Sequence, residues 1–329
     1  MNYKKKVLIN GFGSIGRKHA QIIKNNWSNF EISVLSSGLN KSTLIKNHEL
    51  DFIKNNFECI CDSLKWKPDY VIISNPCPLH IEHALIFARN KIPIFIEKPL
   101  GDGSENIESF KELLQLSKQI PIMVGYVFRH DLCLNYVEKY LQSKKADTLI
   151  EVESYCGSWL PDWRKNTDYK KSVSAKKVLG GGVLLELSHE IDLVNYLVGP
   201  VSIAYSSQFN SKILDIDVED NAFIYSYSNS CKSIIIRLNF CTKPEDRYIK
   251  FQFSNEQLVW ELINQKVFIN NSNNRKEILF ESSYSQDYKY ELQLKSFFDF
   301  ASNKIRNLSD LENGIRILDL ISDAKSFGQ

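Results

Sequence analysis

The sequence predicts two domains, an α/β domain on a parallel, doubly wound sheet followed by an α+β domain of antiparallel strands. Three observations predict this. The first third alternates short apolar runs with helical patterns, as parallel strands do when each needs a crossover helix. After Lys144 the pattern changes to longer segments with two-residue periodicity, which suits an antiparallel sheet with one covered face. The chain has 329 residues, 43% of them hydrophobic, more than one compact core usually holds.

In chain order, residues 6–10 (KVLIN) read as a strand, 15–23 as a helix, 31–35 as a second strand and 70–74 (YVIIS) as a buried one. The helix at 81–90 leads to the strand 93–97 (PIFIE), and 121–126 (PIMVGY) closes the sheet. The domain boundary is expected at Gly125, giving domains of 1–124 and 125–329, ahead of a helix that contains Tyr136 to Leu141. Alternating segments follow at 148–155, 201–208, 221–228, 232–240, 247–253, 259–264, 266–269 and 276–280. The Asn-rich run 270–274 supplies turn residues for a hairpin tip. Two helical stretches, 288–302 and 310–326, end the chain, the second with Ser309 or Asn307 as its cap.

Charge excludes some partners. Forty-one basic against 39 acidic residues leave a formal charge of +2. No long Lys/Arg stripe of the kind that phosphate backbones require is present, so nucleic acid is not an expected partner. The apolar run at 7–10 is too short for a signal segment, and no stretch reaches the ~18 apolar residues of a membrane span. Seven scattered cysteines show no paired framework, which fits a reducing cytoplasm.

The first chemical signal is Gly11-Phe12-Gly13-Ser14-Ile15-Gly16, directly after a strand and opening a helix. In that context the first glycine permits a tight turn, the second lets backbone approach a pyrophosphate, and the third allows close helix packing. The phosphate would sit on the helix N-terminus. A dinucleotide such as NAD or NADP is therefore the expected cofactor, and the domain a Rossmann domain. About 20 residues on, where an acid normally holds the NAD ribose, Ser36 and Ser37 stand instead. They either begin a loop or, with Arg17 and Lys41 nearby, make room for a 2′-phosphate, which favours NADP.

At Glu97-Lys98-Pro99 the chain resembles the glucose-fructose oxidoreductase and inositol dehydrogenase (Gfo/Idh/MocA) family. The resemblance runs through the glycine motif, Asn75-Pro76 with His80, the E-K-P triplet, Trp163-Arg164, and Gly180-Gly181-Gly182 leading to His189. It implies a second domain with a large open, mostly antiparallel sheet that serves the substrate and a homodimer or homotetramer interface. It also implies hydride chemistry on a sugar or cyclitol. The cofactor would then be held by the glycine motif, Ser36, Ser37, Asn75, Pro76, His80, Glu97, Lys98, Trp163 and Arg164.

The chain departs from the family where catalysis would lie. Members often carry an Asp four residues before the histidine, whereas Glu186 stands three before His189, with Ser188 where glycine is usual. On one helix over 183–198, Glu186, His189 and Asp192 would share an edge. Lys98 and His189 are the expected catalytic pair, with Glu186 or Asp192 orienting the imidazole. The long segment 157–175 resembles a subgroup associated with surface-polysaccharide sugars. Within it Arg164 and Tyr169 either belong to a solvated loop or hold cofactor or an anionic substrate group. His189-Glu190-Ile191-Asp192 lacks the second histidine of a zinc motif, and Cys59-x-Cys61 has no distal pair, so no metal is expected.

Two functions fit these residues. One is an NAD(P)-dependent dehydrogenase or reductase acting on a sugar, nucleotide sugar or sugar acid, with Lys98, Arg164, Tyr169 and His189 at the substrate. The other is a dinucleotide-binding sensor that keeps the fold without turnover. Hydride transfer embedded in epimerisation or lyase chemistry stays open within the first.

Overall fold

Near-continuous apolar runs become the central strands of a parallel sheet because both faces of such a sheet are covered. In the computed structural model, which describes residues 4–36, 50–144, 149–164, 167–273, 275–302, 307 and 309–327, these runs are β1 (Lys5–Asn10), β4 (Tyr70–Ile73) and β5 (Ile94–Ile96). With β2 (Phe30–Leu35), β3 (Ile53–Phe57) and β6 (Ile122–Val124) they form a six-stranded sheet in the order β3-β2-β1-β4-β5-β6. Every pairing in it is parallel. The crossovers include α1 (Ser14–Asn26), α2 (Ile60–Lys65), α3 (His80–Arg89) and α4 (Ile107–Ser117).

The chain divides into two compact units, Met1–Tyr126 with Tyr290–Ile315, and Val127–Lys289 with Arg316–Gln329. The sequence expectation assigned all of 125–329 to the second domain, whereas residues 290–315 return to the first. The reason is aromatic packing. Phe297 and Phe298 of α8 (Tyr288–Ala301) join the core that holds Val7, Ile72 and Phe95. Phe298 meets Phe30 and Tyr70 edge-on at centroid distances of 4.8 and 5.2 Å.

The second unit is built on an eight-stranded sheet in the order β14-β13-β12-β11-β7-β10-β9-β8. Its strands are β7 (Leu149–Trp159), β8 (Ser202–Phe209), β9 (Asn221–Tyr227), β10 (Ile234–Asn239), β11 (Cys241–Phe253), β12 (Glu256–Glu261), β13 (Lys266–Asn271) and β14 (Lys276–Glu281). Only β7 with β10 is parallel. One face is covered, as the alternation predicts: along β9 Ala222, Ile224 and Ser226 are buried while Phe223, Tyr225 and Tyr227 are exposed. The covering helices are α5 (Leu132–Ser143), which stacks Tyr136 on Phe280 at 4.2 Å, and the segment after the three glycines. That segment is not the single helix expected over 183–198. It is α6 (Val183–Glu186), a break at Leu187, then α7 (Ser188–Val198). The last helix, α9 (Leu311–Ser326), is capped by Asp310, whose Oδ1 accepts from Asn313 N at 2.9 Å. Asn307 instead accepts from Ser309 N, so neither expected residue caps this helix.

Candidate active site

In an open parallel sheet, ligands bind outside the carboxyl ends of the strands where the strand order reverses. Here that point lies between β1 and β4, and Gly11, Asn75 and Lys98 all follow the carboxyl ends of β1, β4 and β5. Gly11 has φ +97° and packs so closely that a Cβ would lie 2.3 Å from Asn75 N. Gly16 is equally confined, with Gly11 O 2.2 Å from the place of its Cβ. Gly13 is the opposite case, with nothing within 4 Å of that place. It caps α1, and no acidic residue occupies the first turn. Open backbone at a helix N-terminus is what a pyrophosphate needs. Asn75 Oδ1, buried and without a hydrogen-bond partner among the described residues, adds an acceptor beside the turn. These residues fit a dinucleotide. Ser36 follows β2 and donates its backbone N–H to Phe57 O. Ser37 and Lys41 lie outside the described residues.

The loops bearing Asn75 and Lys98 are tied together by histidine. His80 is buried, and its ring nitrogens lie 2.9 Å from Pro99 O and 2.8 Å from Asn75 O. Both nitrogens face backbone carbonyl oxygens, to one of which a neutral imidazole donates, so His80 joins two loops and turns its ring atoms to the protein rather than to a cofactor. Burial also lowers its pKa. Glu97 is likewise spent inside the protein: its Oε1 lies 2.6 Å from His19 Nε2 and its Oε2 accepts from Lys98 N at 3.2 Å. Lys98 is half-buried.

In the second unit the glycine triplet turns the chain towards His189. Gly180 and Gly182 have positive φ, and a Cβ on Gly182 would lie 2.4 Å from Glu219 Oε1. His189 opens the first turn of α7 with its side chain 12% exposed. The carboxylate of Glu190 stands beside it, with Oε1 3.4 Å from His189 Nε2. Glu190 is fully buried; Arg247 donates to Oε1 and Ser154 Oγ donates to Oε2 at 3.3 Å. Burial raises the Glu190 pKa while Arg247 opposes the rise. Phe128 completes the cluster, its ring 5.5 Å from that of His189 and 3.9 Å from the Arg247 guanidinium carbon.

The two expected orienting carboxylates behave otherwise. Asp192 is buried and gripped by Arg129, whose Nε and Nη2 donate to it at 3.0 and 2.7 Å. Glu186 ends α6 on the far side of the Leu187 break, so the shared helical edge does not exist. Trp163 donates Nε1–H to Ser158 Oγ at 2.9 Å and sets its ring edge-on to Phe240, which makes it a packing residue. Tyr169 accepts from Asp215 N through its hydroxyl at 3.3 Å. Arg164 has no side-chain hydrogen bond or ion pair among the described residues. Cys156, His189 and Glu190 bring S, N and O donors within 4.8 Å of one another. A metal there would have to displace a guanidinium already bonded to Glu190.

His19, Glu190 and Arg247 were not among the residues expected from sequence. His19, on the buried face of α1, and Glu190, next to His189, were within reach of sequence reading. Arg247 comes from β11, whose register sets it opposite Cys156 on β7, and no local pattern announces that.

A family model described as an oxidoreductase family with an NAD-binding Rossmann fold matches residues 5–126. That model is the Gfo/Idh/MocA family's, and the matched residues lie within the first unit. The 2,7-anhydro-N-acetylneuraminate hydratase of Mediterraneibacter gnavus is 26% identical over 193 residues, 57% of this chain and 48% of that protein. The chain spans at most about half the length of the curated relatives it matches. The solved WlbA dehydrogenase from Bordetella pertussis, in complex with NADH and UDP-GlcNAcA, is 18% identical, with a TM-score of 0.78 over 99% of this chain and 96% of that one. A levoglucosan dehydrogenase in complex with NADH and levoglucosan gives 15% identity and a TM-score of 0.79 over 98% and 97%. Such similarity shows that the chain shares the fold of these two dehydrogenase structures. Among the described residues no helix is long and apolar enough to cross a membrane.

Proposed function

We propose that this Gfo/Idh/MocA chain is an NAD(P)-dependent enzyme that moves hydride to or from a hydroxyl-bearing carbon of a sugar or sugar derivative, such as a nucleotide sugar or sugar acid. The observation that carries the reading is the open Gly13 turn, beside the Asn75 and Lys98 loops at adjacent strand ends. The sugar ligands named for the related structures support the substrate class.

When bound, the nicotinamide supplies the hydride acceptor or donor. The protein handles charge and protons. Lys98 presents an ammonium to the reacting hydroxyl and steadies negative charge as it develops on that oxygen. His189 takes the hydroxyl proton and returns it, a task suited to imidazole because its ordinary pKa of about 6.5 lies near neutrality. Arg164 and Tyr169 contact the substrate's anionic portion in this reading.

NADP(H) is bound at least as tightly as NAD(H), because Ser36 stands where a ribose-binding acid is usual. The NADH of the related structures pulls the other way, and fluorescence titration with both reduced cofactors decides between them. The chain assembles as a homodimer or homotetramer through the exposed face bearing Phe223, Tyr225 and Tyr227, which light scattering on the eluting protein tests.

The function itself is tested by offering sugars, sugar acids and nucleotide sugars while following nicotinamide absorbance and product mass together. Mass matters because the curated relatives are named hydratases, whose net product is not an oxidised sugar. A cofactor-loaded protein that gives neither spectral change nor product across the panel would be a dinucleotide-binding sensor.

A further inference from the structure

Neighbouring positions on a helix point in different directions, so a histidine and the residue after it do not ordinarily meet. His189 and Glu190 do, at 3.4 Å, because both stand in the first turn of α7 against β7 and β11. We propose that Glu190, clamped by Arg247, is the carboxylate that positions His189 and receives its positive charge when the imidazole takes up a proton. The proposal rests on the hydride-transfer reading of His189. It replaces Glu186 and Asp192 in the orienting role.

The geometry supports each part. Glu190 is fully buried, and a carboxylate there stays ionised only if cations and donors surround it. Arg247 from β11 supplies the cation on Oε1, and Ser154 from β7 donates to Oε2. The carboxylate therefore cannot swing away, and Oε1 is held facing His189 Nε2. At 3.4 Å the pair is an ion-pair contact and not a hydrogen bond, and such pairs often tighten only when substrate closes the site. The Phe128 ring packs against the imidazole at a centroid distance of 5.5 Å, and the Arg247 guanidinium carbon lies over the same Phe128 ring at 3.9 Å, so packing and charge act on one cluster.

Several titratable and charged groups stand near His189. They include Glu190 on its own helix, Arg247 on β11 and Cys156 on β7, with Lys289 4.4 Å from the Phe128 ring and paired to Asp131. Glu190 favours the protonated imidazole and Arg247 opposes it. Removing them one at a time must therefore move His189 in opposite directions, which a loss of packing would not do.

The experiment is an NMR titration of the histidine rings in the full-length protein without substrate, with the His189 signal identified by its loss in His189→Asn. Glu190→Gln should lower the His189 midpoint by about 1 pH unit, roughly tenfold in proton affinity. Arg247→Gln should raise it. Midpoints that stay at the wild-type value in both variants, or move the same way, overturn the proposal. If Glu190→Gln does not fold, Arg247→Gln alone decides: a rise supports the proposal, and no change or a fall overturns it. Once a substrate is known, the histidine limb of the kcat/KM pH profile should shift with the NMR midpoint at unchanged KM for cofactor. Opposed NMR shifts without turnover on any substrate would leave the pairing standing and defeat the hydride-transfer reading instead.

Discussion

His19 Nε2 and Glu97 Oε1 lie 2.6 Å apart, joining the helix that opens at the glycine turn to the loop that carries Lys98. The carboxylate accepts, so the imidazole bears its proton on Nε2. Because Glu97 Oε2 also accepts from Lys98 N, the backbone of Lys98 is held against α1 through one carboxylate. His19→Ala leaves a buried carboxylate short of a donor, at a cost of about 1–3 kcal/mol in urea unfolding. Turnover should fall roughly 10-fold or more in the folded variant, since a displaced Lys98 no longer meets the reacting oxygen. Unchanged stability and unchanged turnover together would show that the contact positions nothing.

The glycine turn offers a sharper separation of fold from function. Gly13→Ala meets no protein atom within 4 Å, so only its capping preference is at stake, less than about 1 kcal/mol. Cofactor affinity, measured by fluorescence titration, should nonetheless drop about 10-fold or more because the methyl occupies the approach of the pyrophosphate. Gly11→Ala should behave in reverse order, losing stability first, because its φ of +97° and the 2.3 Å approach to Asn75 N leave no room.

What could be read from sequence and what could not have separate physical origins. The strands β1, β4 and β5 were legible because apolar runs buried on both faces leave a local signature. The edge strand β3 (IKNNF) was not, since its side chains are only partly buried and its polar residues mimic a loop. The six residues of α2 are too few to show a helical period. The periodicity of α8 marks an apolar face without saying which core receives Phe297 and Phe298. In the site, glycine spacing and E-K-P pointed to Gly13 and Lys98 directly. Helical spacing pointed to Glu186 and Asp192, but neither the helix break at Leu187 nor the grip of Arg129 on Asp192 announces itself locally.

Acid should destabilise the protein through a buried histidine outside the site. His130 is buried, with Nε2 unpartnered among the described residues, and burial holds its pKa down to about 4. In the unfolded chain it titrates near 6.5, so between these values the unfolded state binds the extra proton and the folded state does not. Stability due to this group is thus complete above pH ~6.5 and is lost as pH falls towards ~4, by roughly 3 kcal/mol at most. His80 and His83, also lowered by burial, contribute in the same direction. Urea unfolding across this range should show the decline, and His130→Asn should make it shallower. An equally steep decline in the variant would assign the effect to other groups.

Asp192 and His189 share α7, yet their variants should fail in different ways. Lys98→Ala and His189→Ala should each cut turnover by about 100-fold or more, the usual loss when a positioned proton carrier or a charge-stabilising group is removed. Their folding and cofactor affinity should change little, because each acts on the substrate. Asp192→Ala removes the carboxylate that Arg129 holds by two hydrogen bonds, with both side chains almost wholly inside. The guanidinium left behind has lost its charge partner in a buried setting, a loss of about 3–5 kcal/mol. The cation–π contact of Arg129 with Tyr196, at 4.5 Å, cannot replace a carboxylate. Thermal unfolding should therefore show a large drop for Asp192→Ala and small ones for the other two, while turnover per folded molecule shows the reverse ranking. An Asp192→Ala protein of wild-type stability with turnover reduced as far as that of His189→Ala would return Asp192 to the orienting role and remove it from Glu190.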